Sequence, residues 1–203
     1  ELDAIYTEHY FLGSDDPQTL ADETSRLKRQ TAAMYLDEVE ARLGVDRQRT
    51  RALRLLELGS GLGDLLVEAT SRGYEVTGVE YSASSVRTAN ERLGAARVLR
   101  GGIGDVSLRA EHFDVAVLAD LIEHTRDPLT DLRHVWRVLR PGAVLFIAVP
   151  SLDSWSARLM REHWMEFKDE HLFYFDSLNM QWLLFKAGFE QVEIDAGHKR
   201  LSP

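Results

Sequence analysis

Three glycines at alternate positions, Gly59, Gly61 and Gly63, close the apolar run Leu55-Leu56-Glu57-Leu58 and lead into a stretch of helical spacing that begins at Asp64. Glycine permits a sharp bend and lets a ligand approach the main chain, and the first amides of a helix have no intrahelical acceptor, so such a turn can cradle a small polar ligand. Alone it could equally be a tight strand-to-helix connection. Glu80 adds to it. It ends the next apolar run, Val76-Thr77-Gly78-Val79-Glu80, about 20 residues on, where a carboxylate can accept hydrogen bonds from both hydroxyls of a ribose. A dinucleotide site shares both features, but in its fingerprint, Gly-x-Gly-x-x-Gly, the third glycine comes one place later. Asp64 holds that place here, and an acid at a helix start repels a pyrophosphate lying on it. A ribose-bearing ligand without phosphates fits better.

The elements that must position these residues follow from periodicity. Short apolar runs predict strands at Leu53–Leu58, Glu75–Glu80, Arg97–Gly101, Phe113–Ala119, Ala143–Val149 and Phe189–Ile194, and the stretches between them predict helices at Asp64–Arg72, Ser84–Leu93, Leu129–Leu139 and Ser177–Ala187. Asp127 and Asp176 are N-cap candidates; Gly73, Gly94, Gly142 and Gly188 are candidate stops. Strand–helix alternation of this kind builds an α/β fold, a doubly wound and mostly parallel sheet with helices on both faces. The runs at Leu53, Phe113 and Ala143 are apolar almost throughout, as for strands covered on both sides, whereas Glu75–Glu80 alternates and belongs nearer an edge. Residues 1–50 read as a helical lid or flank with an amphipathic helix from Thr19 to Leu43, and 51–203 as the ligand-binding domain. Within it, residues 151–175 form an aromatic, charged insert with no period (Trp155, Trp164, Phe167, His171, Phe173, Tyr174, Phe175), suited to facing a substrate.

Composition bounds the function. The 203 residues are 44% hydrophobic and 28% charged, an ordinary globular make-up with enough chain for one core. With 24 Lys+Arg against 33 Asp+Glu the net charge is -9, the wrong sign for a surface that neutralises phosphates, so nucleic acid is not the expected partner. The absence of cysteine excludes disulfides, thiolate metal sites and cysteine nucleophiles, and suits a reducing compartment such as the cytoplasm. The longest apolar run, Ala143–Val149, cannot span a bilayer. The start at Glu1, with neither methionine nor a basic-then-apolar leader, reads as a trimmed sequence rather than a signal peptide.

The sequence resembles a class I S-adenosylmethionine-dependent methyltransferase. The resemblance rests on Leu55–Gly63, on Glu80, on Phe113-Asp114-Val115-Ala116-Val117 with Glu123-His124 after it, on Arg137-Val138-Leu139-Arg140-Pro141-Gly142 and on Ala187-Gly188-Phe189, in that order from Leu53 to Ile194. The run Asp120-Leu121-Ile122-Glu123-His124-x-x-Asp127-Pro128, with Trp164 and Glu170-His171-Leu172-x-x-Phe175, is similar to the branch of ubiquinone-type O-methyltransferases and enzymes acting on sugars and natural products.

The resemblance implies a cofactor, S-adenosylmethionine, leaving as S-adenosylhomocysteine. The turn Gly59-Ser60-Gly61-x-Gly63 would pack against its methionyl and ribose parts, Glu57 hold the amino group, Glu80 the ribose hydroxyls, and Tyr81 lie against the adenine. The family usually has Gly-Asp-apolar where this chain has Gly101-Gly102-Ile103, so the acid that meets the adenine amino group is replaced by Gly102. Asp105 could substitute from along the loop, or the Ile103 amide and stacking could suffice. Ala119 and Asp120 end the fourth strand, where ligands of open parallel sheets bind.

Methyl transfer from a sulfonium mainly needs in-line placement of the acceptor. A hydroxyl acceptor also benefits from a base, and His124 and His171 are the candidates, each with a structural alternative: a backbone-bonded His124 and a packing His171. The insert's aromatics suit a small organic acceptor but could equally make a satellite core, and Tyr6, Tyr10 and Phe11 could close over the cofactor or pack in the core. The seven histidines show no pair at i, i+4 and no His-Glu-x-x-His, Asp120 with Glu123 being the one suggestive grouping, so no metal is expected. The sequence thus predicts a methyltransferase acting on a small molecule, most readily at oxygen. The alternatives are a non-catalytic cofactor- or partner-binding module on the same fold and, further off, an NAD-type oxidoreductase. Only residues 196–203 follow the sixth predicted strand; without a seventh strand the sheet edge would be open, and a second copy of the chain could cover it.

Overall fold

The computed structural model describes residues 17–44 and 53–195, with side chains from residue 24. Helix α1 (Pro17–Leu43) is followed by β1 (Arg54–Leu58), α2 (Asp64–Ser71), β2 (Glu75–Glu80), α3 (Ala83–Leu93), β3 (Val98–Arg100) and β4 (Phe113–Ala119). A 3-10 turn (Ile122–His124), α4 (Pro128–Val138), β5 (Leu139–Ala148), α5 (Trp155–Met160), a second 3-10 turn (Arg161–His163) and α6 (Ser177–Ala187) complete the order. The strands form one all-parallel sheet, β3-β2-β1-β4-β5. Tyr6, Tyr10 and Phe11, the aromatics considered for a lid, lie outside the described residues.

Each face of the sheet carries its own apolar layer, as a parallel sheet buried on both sides requires. On one face Leu55, Val76, Val98, Val115 and Val117 meet Ala32, Leu36 and Val39 of α1 and Leu65, Leu66 and Ala69 of α2. On the other, Leu56, Leu58, Val79, Ala116 and Leu118 meet Leu132, Val135 and Val138 of α4 and Met180, Leu183 and Leu184 of α6. The caps follow the sequence: Asp127 accepts the Thr130 amide, Asp176 and Asn179 form a reciprocal capping box, and Gly94 and Gly188 end α3 and α6 in the left-handed region.

Three expectations are corrected. Residues 189–194 form no strand. Phe189 and Val192 lie on the core while Ile194 is 40% exposed, so the segment drapes over the domain without a ladder partner; its acids Glu193 and Asp195 pair with Arg42 of α1. In consequence β5 is an edge strand, and Ala143–Ala148 are half-buried rather than covered. Finally, β5 begins at Leu139, which pairs with Phe113, and the register shifts before Val115 meets Val144. Arg140 pairs there with buried Asp114, so Gly142 lies inside the strand instead of ending α4.

Candidate active site

The glycine turn joins β1 to α2 as the spacing requires. Gly59, Gly61 and Gly63 have φ of 69°, 49° and 79°, a region side chains avoid. Space matters at two of them: a Cβ on Gly59 would come within 2.9 Å of Leu121 Cδ1, and one on Gly63 within 3.1 Å of the Ala89 Cβ. Gly61 faces open space.

Carboxylates gather around this turn. Glu80 closes β2 with one oxygen accepting the Gly61 amide and the other the Ser82 amide, each at 2.8 Å. These bonds aim the carboxylate across the turn and leave its further lone pairs available. Glu57, at the buried end of β1, has an oxygen with no hydrogen-bond partner, as does the buried Ser60 hydroxyl. Burial, followed by the charges of Asp64 and Glu80, pushes the Glu57 carboxyl well above its ordinary value. Asp64 is tied down: it accepts from Ser25 of α1 and from Arg92 of α3, both at 2.6 Å. Arg92 also reaches the Leu62 carbonyl at 2.7 Å. Its charge tempers the repulsion that a bare Asp64 would exert on a phosphate, but it meets only one of three clustered acids.

The loop after β3 closes on the strand ends beside Glu80. The Gly101 amide donates to the Glu80 carbonyl at 3.0 Å, holding the loop against β2. The Gly102 amide donates to Asp105 Oδ2 at 2.9 Å, and a Cβ at position 102 would lie 3.2 Å from that same oxygen. The Asp105 carboxylate thus stands where a side chain at 102 would begin. Ile103 is buried in the core, and Tyr81 is 49% exposed beside the turn. At the end of β4, Ala119 is half-buried, and exposed Asp120 has φ 49° with its amide bonded to the Ala148 carbonyl.

The two histidines meet. The Glu123 carbonyl accepts the amides of Leu172 and Phe173 at 2.8 and 3.1 Å, fastening the insert onto the 3-10 turn. His124 Nδ1 lies 2.9 Å from the Glu170 carbonyl and so carries the proton it donates there. The His124 and His171 rings are edge to face with centroids 4.7 Å apart. Burial, then His124, lowers the His171 pKa, keeping that imidazole neutral near pH 7. Trp164, Phe167 and Tyr174 form a satellite aromatic cluster beside them, while Trp155 is 76% exposed.

A model of the methyltransferase domain matches residues 14–194 of this chain. The chain belongs to the methyltransferase domain family. It is 28% identical over 159 residues to 2-methyl-6-phytyl-1,4-hydroquinone methyltransferase 2 of Oryza sativa subsp. japonica, covering 76% of this chain and 42% of that protein. It is 33% identical over 117 residues to the ubiquinone biosynthesis O-methyltransferase of Caulobacter vibrioides, covering 52% of this chain and 44% of the relative. This methyltransferase domain spans about half the length of the curated relatives it matches. Among solved structures it resembles a Thermotoga maritima S-adenosylmethionine-dependent methyltransferase described as a possible histamine N-methyltransferase, with a TM-score of 0.59, 26% identity and coverage of 85% and 79%. It shares its fold with a methyltransferase of Archaeoglobus fulgidus at a TM-score of 0.65 and 16% identity, covering 90% and 85%.

Sequence reading missed three residues that the structure brings to the candidate site or its rim. Leu121 covers Gly59, and Arg92 neutralises Asp64; neither carries a local signal, because both contacts come from other elements. Tyr35 lies against Phe146 with ring centroids 4.9 Å apart. Burial, with the charges of Asp120 and Glu38, pushes its hydroxyl up to about 12, so it keeps its proton beside the end of β4.

Proposed function

We propose that this chain binds S-adenosylmethionine and transfers its methyl group to an oxygen of a small organic acceptor. The observation that carries the proposal is the acidic cluster at the glycine turn: Glu57, Asp64 and Glu80 lie close enough that two of them raise the pKa of the third, and one oxygen of buried Glu57 lacks a partner. A ligand bearing an ammonium and a sulfonium offsets that charge; a pyrophosphate would add to it. Glu57 would take the ammonium, Glu80 the ribose hydroxyls and Tyr81 one face of the adenine. The Gly59-Ser60-Gly61-x-Gly63 turn would carry the methionyl and ribose parts, with Ala119 and Asp120 flanking the reacting end. Asp105, filling the place vacated at Gly102, would receive the adenine amino group beside the Ile103 amide.

S-adenosylmethionine held there would supply an electrophilic methyl carbon to an acceptor oxygen placed opposite its sulfur, and would leave as the neutral thioether S-adenosylhomocysteine. The acceptor's proton passes to the histidine pair, where neutral His171 beside His124 can receive it. The names of the relatives, a ubiquinone biosynthesis O-methyltransferase and a hydroquinone methyltransferase, support an acceptor with a ring hydroxyl. Among the described residues no helix is long and apolar enough to cross a membrane. We place the protein in the cytoplasm, acting on a small molecule rather than nucleic acid, with a second copy as the partner suited to the open β5 edge.

Calorimetric titration with S-adenosylmethionine and S-adenosylhomocysteine, on the wild type and on Glu80→Ala, tests the proposal. Micromolar binding, weakened about 30-fold by losing hydrogen bonds to a charged group worth roughly 2 kcal/mol, is the expected result. A folded wild type that binds neither would overturn it.

A further inference from the structure

The sheet face that packs against α4 and α6 is left open beside β3, because the connection from β3 to β4 contains no helix. Leu99 pairs with buried Val79 and shares its face, yet Leu99 is 38% exposed, and Thr77, two residues before Val79, is half-buried. A parallel sheet ordinarily buries both faces, so an apolar strand residue open to water here calls for a covering group. The strands and the β3–β4 loop enclose a groove of about 290 Å3 whose lining includes Thr77, Arg97, Leu99, Leu108, Arg109 and His112, near the lower end of small-molecule sites. We propose that this groove binds a small phosphate monoester carrying an apolar group, at a site separate from the glycine turn.

The charge of the groove opposes that of the chain. The net charge is -9, yet no acid lines the groove. Among the described residues Arg109 pairs with no acid, and Arg97 meets Glu75 at 3.9 Å, an acid that Arg54 also meets at 3.5 Å. Guanidinium groups match phosphate oxygens in bidentate geometry. Two of them, with the His112 imidazole and the hydroxyls of Thr77 and Ser107 in the same lining, offer more donors than the two oxygens of a carboxylate would use. Leu99 and Leu108 supply the apolar floor on which the ester group would rest. Both walls are fixed in place. Asn90 Oδ1 accepts the amides of Arg97 and Val98 at 2.7 and 2.8 Å. On the loop side Arg137 donates to the Leu108 carbonyl at 3.1 Å, and the Glu111 and His112 amides donate to the Arg137 and Val138 carbonyls at 3.0 and 2.8 Å. A groove held this way spends little on ordering when a ligand enters. Thr77 precedes Glu80 by three residues, about 10 Å along β2, so the groove and the acids of the glycine turn are distinct places with opposite charge.

This binding is independent of methyl transfer and is tested without it. The 15N-labelled chain is titrated with phenyl phosphate and followed by two-dimensional NMR, with inorganic phosphate and phenol as the comparison probes. Amide shifts at Thr77, at Arg97 to Leu99 and at Ser107 to Phe113 are expected, with a Kd below about 1 mM. Inorganic phosphate and phenol should each bind at least about 5-fold more weakly, since each keeps half of the recognition. Arg109→Ala and Arg97→Ala, shown folded by circular dichroism, should each weaken phenyl phosphate about 10-fold through loss of a bidentate pair. Arg87→Ala, at an exposed arginine of α3 outside the groove, should leave it unchanged. Shifts that are absent at 5 mM on the order of saturation for such a site, or that fall at the glycine turn instead, overturn the proposal. So does binding that survives the double variant Arg97→Ala/Arg109→Ala, and so does inorganic phosphate or phenol binding as tightly as the ester.

Discussion

The two ends of helix α2 each gather three carboxylates, and they resolve the resulting charge in opposite ways. At the C-terminal end, Asp37 and Glu40 of α1 and Glu68 of α2 converge on Arg72 at 2.7, 3.2 and 3.0 Å, while Arg72 also donates to the Ala33 carbonyl at 3.0 Å. Burial works against the Arg72 charge, yet the hydrogen bonds it donates to the three acids hold its pKa above the ordinary value. At the N-terminal end, Arg92 meets Asp64, while Glu57 keeps an oxygen without a partner and a raised pKa. The first cluster is centred on a guanidinium of the chain itself, which fastens α1 to the domain. The second has one guanidinium, on Asp64, and is where the proposed cationic ligand would sit. A count of acids would not separate them; their partners do.

The largest effect that would sharpen this contrast is on stability. Arg72→Ala leaves Glu40, 6% exposed, without its guanidinium and should cost about 3–5 kcal/mol. That lowers the melting temperature on the order of 10 °C, while S-adenosylmethionine affinity of the folded fraction stays unchanged. Affinity lost together with stability would show that α1 shapes the site and that the two ends are not independent.

Glu57→Gln should act in the opposite sense. Losing the charged partner of an ammonium costs roughly 1.5–3 kcal/mol of binding, about 10- to 150-fold in affinity. The unliganded protein should become more stable at neutral pH. Because the folded-state pKa of Glu57 is raised, its proton favours the folded state at low pH, and that contribution is lost as pH rises through the folded value, beyond which the buried anion is a penalty. Thermal scans from pH 5 to 8 should therefore show a shallower decline in the variant. A Glu57→Gln protein that melts below the wild type at pH 7 would break the comparison, marking Glu57 as an internally compensated acid like those around Arg72.

Gly61→Ala is the smallest and most local probe. With φ of 49° and nothing within 4 Å of an added Cβ, the cost to the unliganded protein is limited to backbone strain of about 1 kcal/mol. S-adenosylmethionine titration should reveal a further loss of affinity, since that open space is where the ligand would lie; an unchanged affinity would put the ligand elsewhere.

Much of this could be read from the chain. Alternate glycines after a buried strand specify a turn that only residues tolerant of positive φ can make, and Gly59 and Gly63 are packed so closely that Leu121 and Ala89 enforce the choice. Glu80 stands at the predicted strand end because one βαβ crossover fixes its distance from the turn. The sixth strand was not legible: Phe189–Ile194 has the apolar residues of a strand, but a strand exists only where a neighbour accepts its hydrogen bonds, and none adjoins it among the described residues. The edge position of β5 follows from the same missing pairing.

By itself the sequence determined the parallel sheet, the glycine turn, the caps and the acid at the end of β2, all set by periodicity and by backbone preferences acting over a few residues. Only the tertiary structure decided which charges find partners. Arg72 answers its acids because α1 folds back across α2, Asp105 enters the space left at Gly102 because the loop closes on itself, and His171 reaches Glu123 and His124 because the insert pins its amides to the turn after β4. Contacts between segments far apart in the chain carry no local pattern; they form when burial brings the segments together and geometry allows their polar groups to meet.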